Sequence, residues 1–278
     1  MAMKKLLGFL VCGIFLFPGI ALAGEPTLTL VTKTGKATYT ISDLLKRKDV
    51  ETVIVENDPV YPGQKMEYVA LKVTSLFDQI ELDDDAVIQF KTLDGFSAPV
   101  SRQRLLNTSS TESIAYIAME LPDKKWPPMK PGKPSAGPFY LIWKNPELSH
   151  ISSEEWSYML AAFEVKDSLE TTYPEIFPSN KLSGDDPVTK GFQLFVKNCF
   201  ACHTMNKEGA STIGPDLNVP MNPTEYFRAT ALKELIRNPQ SVRHWPNGRM
   251  KGFKPDIISD QDLNHLIAYL EHMSRRRK

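Results

Sequence analysis

Cys199-Phe200-Ala201-Cys202-His203 is the run of residues in this chain best suited to chemistry. Two thiols three positions apart stand about one helical turn from each other, and the adjacent imidazole offers a nitrogen ligand. A Cys-x-x-Cys-His run of this kind reads as a covalent attachment site for a c-type haem. Each thiol adds to one vinyl group of a single porphyrin, and the imidazole lies under the iron as proximal ligand. The spacing by itself also suits half of a zinc site or a thioredoxin-like redox pair. Zinc would want a second cysteine pair, and the chain has three cysteines in all. A thioredoxin-like pair wants a βαβ setting and has no use for the histidine. Neither a nucleophile–base motif nor a Gly-rich phosphate loop is visible elsewhere, so redox chemistry leads.

The N-terminus bears on how those thiols are used. Lys4 and Lys5 precede an apolar stretch from Leu6 to Ile20, and Ala21-Leu22-Ala23 supplies small residues before Gly24. This is the pattern of a cleavable secretory signal, with residues 1–23 removed and periplasmic export expected. Gly13, Pro18 and Gly19 interrupt the apolar run, so a membrane contact is expected only through an uncleaved signal segment. Cys12 follows Val11, a poor lipoprotein box, and leaves with the peptide. Cys199 and Cys202 then have no third cysteine to pair with, and thioether formation protects them in an oxidising compartment.

The 278 residues, 42% of them hydrophobic, are enough for two cored domains. Charge divides between them, with a net of −6 over residues 24–184 and +4 over residues 185–278. Neither half is basic enough to suggest nucleic acid, and the two halves attract each other or meet differently charged partners. A turn-rich stretch with Pro174, Pro178, Pro187 and Ser183-Gly184-Asp185-Asp186 marks residues 171–187 as a linker. Pro122 to Pro138, with six prolines and four lysines, is expected to be an extended surface loop.

The elements that must position the motif lie on both sides of it. Val188 to Lys197 is amphipathic, with Asp185 or Asp186 as cap and Pro187 in the first turn. Ser259 caps a second helix through Leu266, Ile267, Tyr269 and Leu270. Earlier in the chain, strands are predicted at Leu28–Val31, Ala37–Ile41, Thr52–Val55, Tyr68–Leu71, Ala86–Phe90, Ile114–Met119 and Phe139–Trp143. Helices are predicted at Ser42–Lys48, capped by Ser42 or Asp43, and at Val73–Ile80, while Glu154–Val165 suits a helix or a last strand equally. The expected fold is an α+β domain with a largely β core over residues 24–170, followed by an all-α domain over residues 188–278.

With those helices around the Cys-x-x-Cys-His run, residues from about 187 to 273 resemble a class I, mitochondrial-type cytochrome c domain. The resemblance implies that the first helix crosses the last through Gly191, Phe195 and Tyr269. It also implies that Gly214-Pro215-Asp216-Leu217 sets Pro215 beside the imidazole of His203, a contact that fixes the ring and tunes the iron. The family's distal methionine falls at Met250, in the loop Trp245 to Phe253, with Trp245 and Phe253 walling the pocket. Met205 is too close to His203 to cross the ring, and Met273 sits on the last helix. His244, Met221 or an open position are the alternatives to Met250. A His/Met pair raises the reduction potential and leaves the iron no free position, which is the behaviour of a carrier of single electrons. Arg243, Arg249, Lys251 and Lys254 either steer an acidic partner or form a solvated basic rim. His265 and His272 are read as surface or packing residues.

Tyr68-Val69-Ala70-Leu71-Lys72-Val73-Thr74-Ser75-Leu76-Phe77, Thr92-Leu93-Asp94-Gly95-Phe96-Ser97 and Gly137-Pro138-Phe139-Tyr140-Leu141-Ile142 make the N-terminal half resemble the molybdopterin-binding domain of sulfite oxidase-like enzymes. Those enzymes hold molybdenum through a cysteine thiolate, and residues 24–198 contain no cysteine, so the half resembles a relative without that ligand. His150 reads as structural and Asp83-Asp84-Asp85 as a solvated turn. The expected function is a periplasmic monohaem c-type cytochrome with one covalent haem c, passing electrons between redox partner proteins. The N-terminal domain is its docking or positioning module, and electron transfer is favoured over catalysis. A molybdopterin-type oxidoreductase variant or subunit, and a haem-based sensor with an open distal site, are the alternatives.

Overall fold

The computed structural model describes residues 24–211, 213–246 and 248–278; the expected signal segment, with Cys12, lies outside them. The N-terminal half is built from β1 (Thr27–Thr32), β2 (Gly35–Thr40), α1 (Ile41–Leu45), β3 (Glu51–Val55), β4 (Met66–Lys72), β5 (Val87–Thr92), β6 (Ser97–Ser101), α2 (Arg102–Leu105), β7 (Ile114–Met119), β8 (Phe139–Lys144), β9 (Leu160–Lys166) and α3 (Leu169–Thr172). They form a five-stranded sheet in the order β2-β1-β9-β5-β6 and a four-stranded sheet in the order β3-β4-β7-β8. Every pairing is antiparallel except β1 with β9, where Leu30 lies opposite Phe163. The inner strands read as nearly continuous apolar runs because both faces are covered, as β7 and β8 show, while the edge strand β2 is largely solvated. One core, centred on Phe90, Tyr116, Phe139, Trp143 and Phe163, fills the space between the sheets.

The C-terminal half is helical: α4 (Pro187–Asn198), α5 (Pro223–Tyr226), α6 (Ala229–Arg237), α7 (Pro239–Val242) and α8 (Asp260–Ser274). Asp186 caps α4 by accepting the Val188 N–H at 2.8 Å, with Pro187 next, and Ser259 caps α8 by accepting the Asp262 N–H at 3.1 Å. A mostly β half followed by an all-α half is the expected fold class. Among the described residues, no helix is long and apolar enough to cross a membrane.

The departures have local causes. Glu154–Val165 divides into a 3-10 turn (Ser153–Glu155) and β9, whose place between β1 and β5 requires an extended backbone. Val73–Ile80 keeps only the 3-10 turn Val73–Leu76, and α1 is capped by Thr40, not by Ser42 or Asp43. Asp43 is the other half of that capping box, returning a bond to the Thr40 N–H. The proline-rich loop is not wholly at the surface, because Trp126 and Ala136 are buried and Trp126 sets its ring edge-on to Tyr68. Residues of the turn-rich stretch pack on the helices, with Ile176 buried among them and Tyr173 and Phe177 against them.

The halves meet along several bonds. The Ser97 N–H reaches the Ala201 carbonyl at 3.5 Å, the Tyr173 hydroxyl donates to Gln89 at 3.0 Å, and Lys197 donates to the His150 carbonyl at 3.4 Å. Ala201, inside the Cys-x-x-Cys-His run, belongs to the core of the β half. His150 thus acts through its main chain, which also accepts from Arg104.

Candidate functional site

The site is framed by the crossing of α4 and α8. A Cβ on Gly191 would stand 2.0 Å from the His265 carbonyl oxygen, so the two backbones touch there and any side chain would force them apart. Phe195 and Tyr269 pack with ring centroids 5.2 Å apart, and the Tyr269 hydroxyl donates to the Ile176 carbonyl at 2.7 Å. The last turn of α4 runs directly into the motif, because the Cys199 N–H bonds the Phe195 carbonyl at 2.8 Å. The Cys202 and His203 N–H groups both bond the Cys199 carbonyl, at 3.0 and 2.9 Å. The end of α4 and the hydrogen-bonded turn that follows it therefore set the position of both thiols and of the imidazole.

Residues 214–217 lie alongside the motif. The Gly214 N–H bonds the Cys202 carbonyl at 2.7 Å, and the Leu217 N–H bonds the Thr204 carbonyl at 2.9 Å. His203 sits between these bonds against Gly214, where a Cβ would come within 2.5 Å of the ring. Its Nδ1 lies 2.8 Å from the Pro215 carbonyl oxygen. A carbonyl only accepts, so Nδ1 carries the proton and Nε2 keeps a free lone pair. Burial lowers the basicity of this imidazole, against the opposing pull of the Pro215 carbonyl and Asp216, which favours the neutral ring. Cys199 and Cys202 are not joined to each other by a disulfide. Burial pushes the first thiol up to about 12 and the second up to about 11, so before any attachment both would be protonated at neutral pH.

Asp216 holds this side together, a role that sequence reasoning did not give it. One oxygen accepts from Thr204 and Lys207 and the other from the Asn218 and Val219 N–H groups, each at 2.7 Å. Burial alone would raise its carboxyl, but these bonds outweigh burial and hold it below the ordinary range. Also unforeseen is a ladder of buried asparagines. Asn218 donates to Asn206 and to the Met273 carbonyl, Asn222 donates to Asn218 and to the Leu270 carbonyl, and Asn206 donates to the Glu175 and Arg276 carbonyls. The end of α8 is thereby tied to the loop behind the motif. The only cue in sequence is that polar residues recur at 206, 218 and 222 within a turn-rich stretch.

On the other side of the motif, the loop between α7 and α8 carries Trp245 and Met250, both exposed. Arg249 and Lys251, on either side of Met250, come close enough for their charges to act on the Cys202 thiol. Phe253 is buried in the helical core, its N–H bonded to the Ile236 carbonyl at 3.0 Å, and so anchors the loop. Arg243 lies over the Trp245 ring at 5.3 Å. Of the other candidates, His244 and Met221 are exposed on separate loops, and Met205 and Met273 are fully buried packing residues. His272 accepts the Ser179 N–H at 3.2 Å, and His265 lies at the helix crossing.

Two adjacent thiols, a neutral imidazole with Nε2 free, and a thioether loop beside them form a donor set that fits a covalently held haem. A cytochrome c family model matches residues 188–274. The match covers about a third of the chain; a cytochrome c domain there supports a haem-based electron-transfer protein and implies covalently bound haem c and a redox partner. No curated protein matches the chain.

Proposed function

We propose that this chain is an exported, periplasmic cytochrome with a single haem c that passes one electron at a time between redox partner proteins, over domains at 24–170 and 188–278. Cys199 and Cys202 form the thioethers, His203 is the proximal ligand, Pro215 orients it, and Met250 is the distal ligand. The observation that carries this reading is the His203–Pro215 contact at 2.8 Å, with Gly214 against the ring and two thiols on the adjoining turn. When bound, the haem supplies a one-electron ferric/ferrous couple.

The chain's own residues do the rest. The Pro215 carbonyl holds the proton on Nδ1 and strengthens Nε2 as a donor, and Asp216 fixes that carbonyl by gathering Thr204, Lys207, Asn218 and Val219 around it. With haem bound, the Met250 thioether would be the second ligand to the iron, which would exclude small ligands and favour the ferrous state. The β half covers the motif at Ala201, which supports a role for it as a positioning module.

The test is the mass and the redox titration of the protein matured in a periplasm. The reading expects a chain beginning near Gly24 with the mass of one haem added, resistant to acid extraction, and a titration with one electron. Two haems, an extractable haem, or stoichiometric molybdenum would overturn it.

A further inference from the structure

The distal loop is held unevenly along its length. Before it, the Trp245 N–H bonds Gln240 at 3.0 Å; after it, Gly252 lies against the last turn of α6, where a Cβ would meet the Arg237 carbonyl at 2.2 Å. Between these anchors, and among the described residues, Arg249 to Gly252 make no main-chain hydrogen bond. Two ion pairs from the other half of the chain hold the span instead. Arg249 pairs with Asp94 at 2.7 Å and Lys251 with Glu154 at 3.9 Å, one on each side of Met250. Both acids are set in advance by their own domain. Asp94 accepts from the Thr92 hydroxyl at 2.6 Å and the Phe96 N–H at 3.3 Å, and Glu154 accepts from Ser153 at 3.2 Å. Both are mostly buried, at 23% and 13% exposure, whereas the loop cations are at least half exposed, so the domain offers buried acceptors to a more exposed pair of cations. Arg249 and Lys251 thus each have an acidic side chain within the chain as neighbour.

We propose that the β half acts as a clamp on the distal ligand: Asp94 and Glu154, by pairing with Arg249 and Lys251, hold Met250 in place and set how readily the sixth position opens. The inference rests on the assignment of Met250 as distal ligand. Asp94 and Glu154 are positioning residues, acting through the loop and touching neither iron nor ring. Half-exposed pairs of this kind shift an equilibrium by roughly two- to fivefold each, and such effects are screened by salt.

Imidazole binding to the ferric holoprotein reads the opening, because the rate of entry follows the fraction of molecules with the methionine released. The full-length variants Asp94→Asn and Glu154→Gln are each expected to bind imidazole about two- to fivefold faster than wild type at low salt, and roughly tenfold faster together. The Met–iron charge-transfer band should weaken in step. Asp94→Glu should restore the wild-type rate, and molar salt should bring wild type toward the double variant. Arg249→Gln removes the first pair from the loop side and should add nothing to Asp94→Asn. Wild-type rates and band in the double variant, with Met250→Ala binding fast, would overturn the clamp and leave the ligand assignment standing. A Met250→Ala protein with an unchanged spectrum would overturn the assignment and the clamp with it.

Discussion

Replacing Gly191 by alanine tests the helix crossing on which the site is built. The added methyl would lie 2.0 Å from the His265 carbonyl oxygen, 2.6 Å from its carbon and 2.7 Å from the Tyr269 Cβ. A carbon and a carbonyl oxygen in contact settle at roughly 3.3 Å, so α4 and α8 must part by about 1 Å. The partner atoms are main chain and cannot turn aside. Alanine returns about 1 kcal/mol of helix propensity, whereas overpacking costs about 1–3 kcal/mol and opens gaps beside Phe195 and Tyr269. Since the contact is far inside normal separation, the cost takes the upper end and the net loss is about 2 kcal/mol. Urea unfolding of the holoprotein would show it as a midpoint lowered by about 1 M with an unchanged slope. Gly184→Ala, where a Cβ meets nothing within 4 Å, serves as a near-neutral control. A Gly191→Ala protein as stable as wild type would refute a crossing with touching backbones.

Three further outcomes follow from the same geometry. Gly214→Ala would press a methyl to within 2.5 Å of the His203 ring and strain its bond to Pro215; attachment should survive while the reduction potential and Soret position move, and an unmoved potential would remove Gly214 from the proximal support. Asn218→Ala removes the buried amide that donates to Asn206 and the Met273 carbonyl and accepts from Asn222, which should cost about 2 kcal/mol in denaturant titrations; a loss under about 0.5 kcal/mol, roughly the size of a surface change, would contradict the ladder's role. His272 is lowered by burial and then by Arg276 and Arg275, and its Nε2 accepts a main-chain N–H that the protonated ring cannot bond. A depressed value in the folded state means that its stabilising contribution is complete above the unfolded value near 6.5 and is lost as pH falls. Unfolding midpoints at pH 7.5 and 5.5 should therefore differ more for wild type than for His272→Gln, and equal differences would refute the link.

How much could be read in advance varies with how local the cause is. Asp186-Pro187 and Ser259 mark helix starts because a cap needs only its own turn, and both helices begin there. The apolar runs at β7 and β8 likewise announce buried strands. Leu160 to Lys166 gave no such sign, since its apolar residues suit either period and only pairing between β1 and β5 decides it. Ser97–Ser101 also went unread, since Pro99 argues against a strand and is tolerated at this edge. At the site, Cys199, Cys202 and His203 are singled out in sequence because the chemistry proposed for them depends on spacing alone. The four bonds of Asp216, the asparagine ladder and the pairs from Asp94 and Glu154 are not, because each joins residues far apart in sequence.

The central claim is a closed iron between His203 and Met250 in an electron carrier. The most direct measurement is the absorption spectrum of the ferric and ferrous holoprotein, with carbon monoxide added to the ferrous form, for wild type and Met250→Ala. The account predicts a Met–iron charge-transfer band and no carbon monoxide shift in wild type, and loss of the band with ready carbon monoxide binding in the variant. Ready binding by wild type would contradict it, placing an open iron and a sensing or catalytic role ahead of electron transfer.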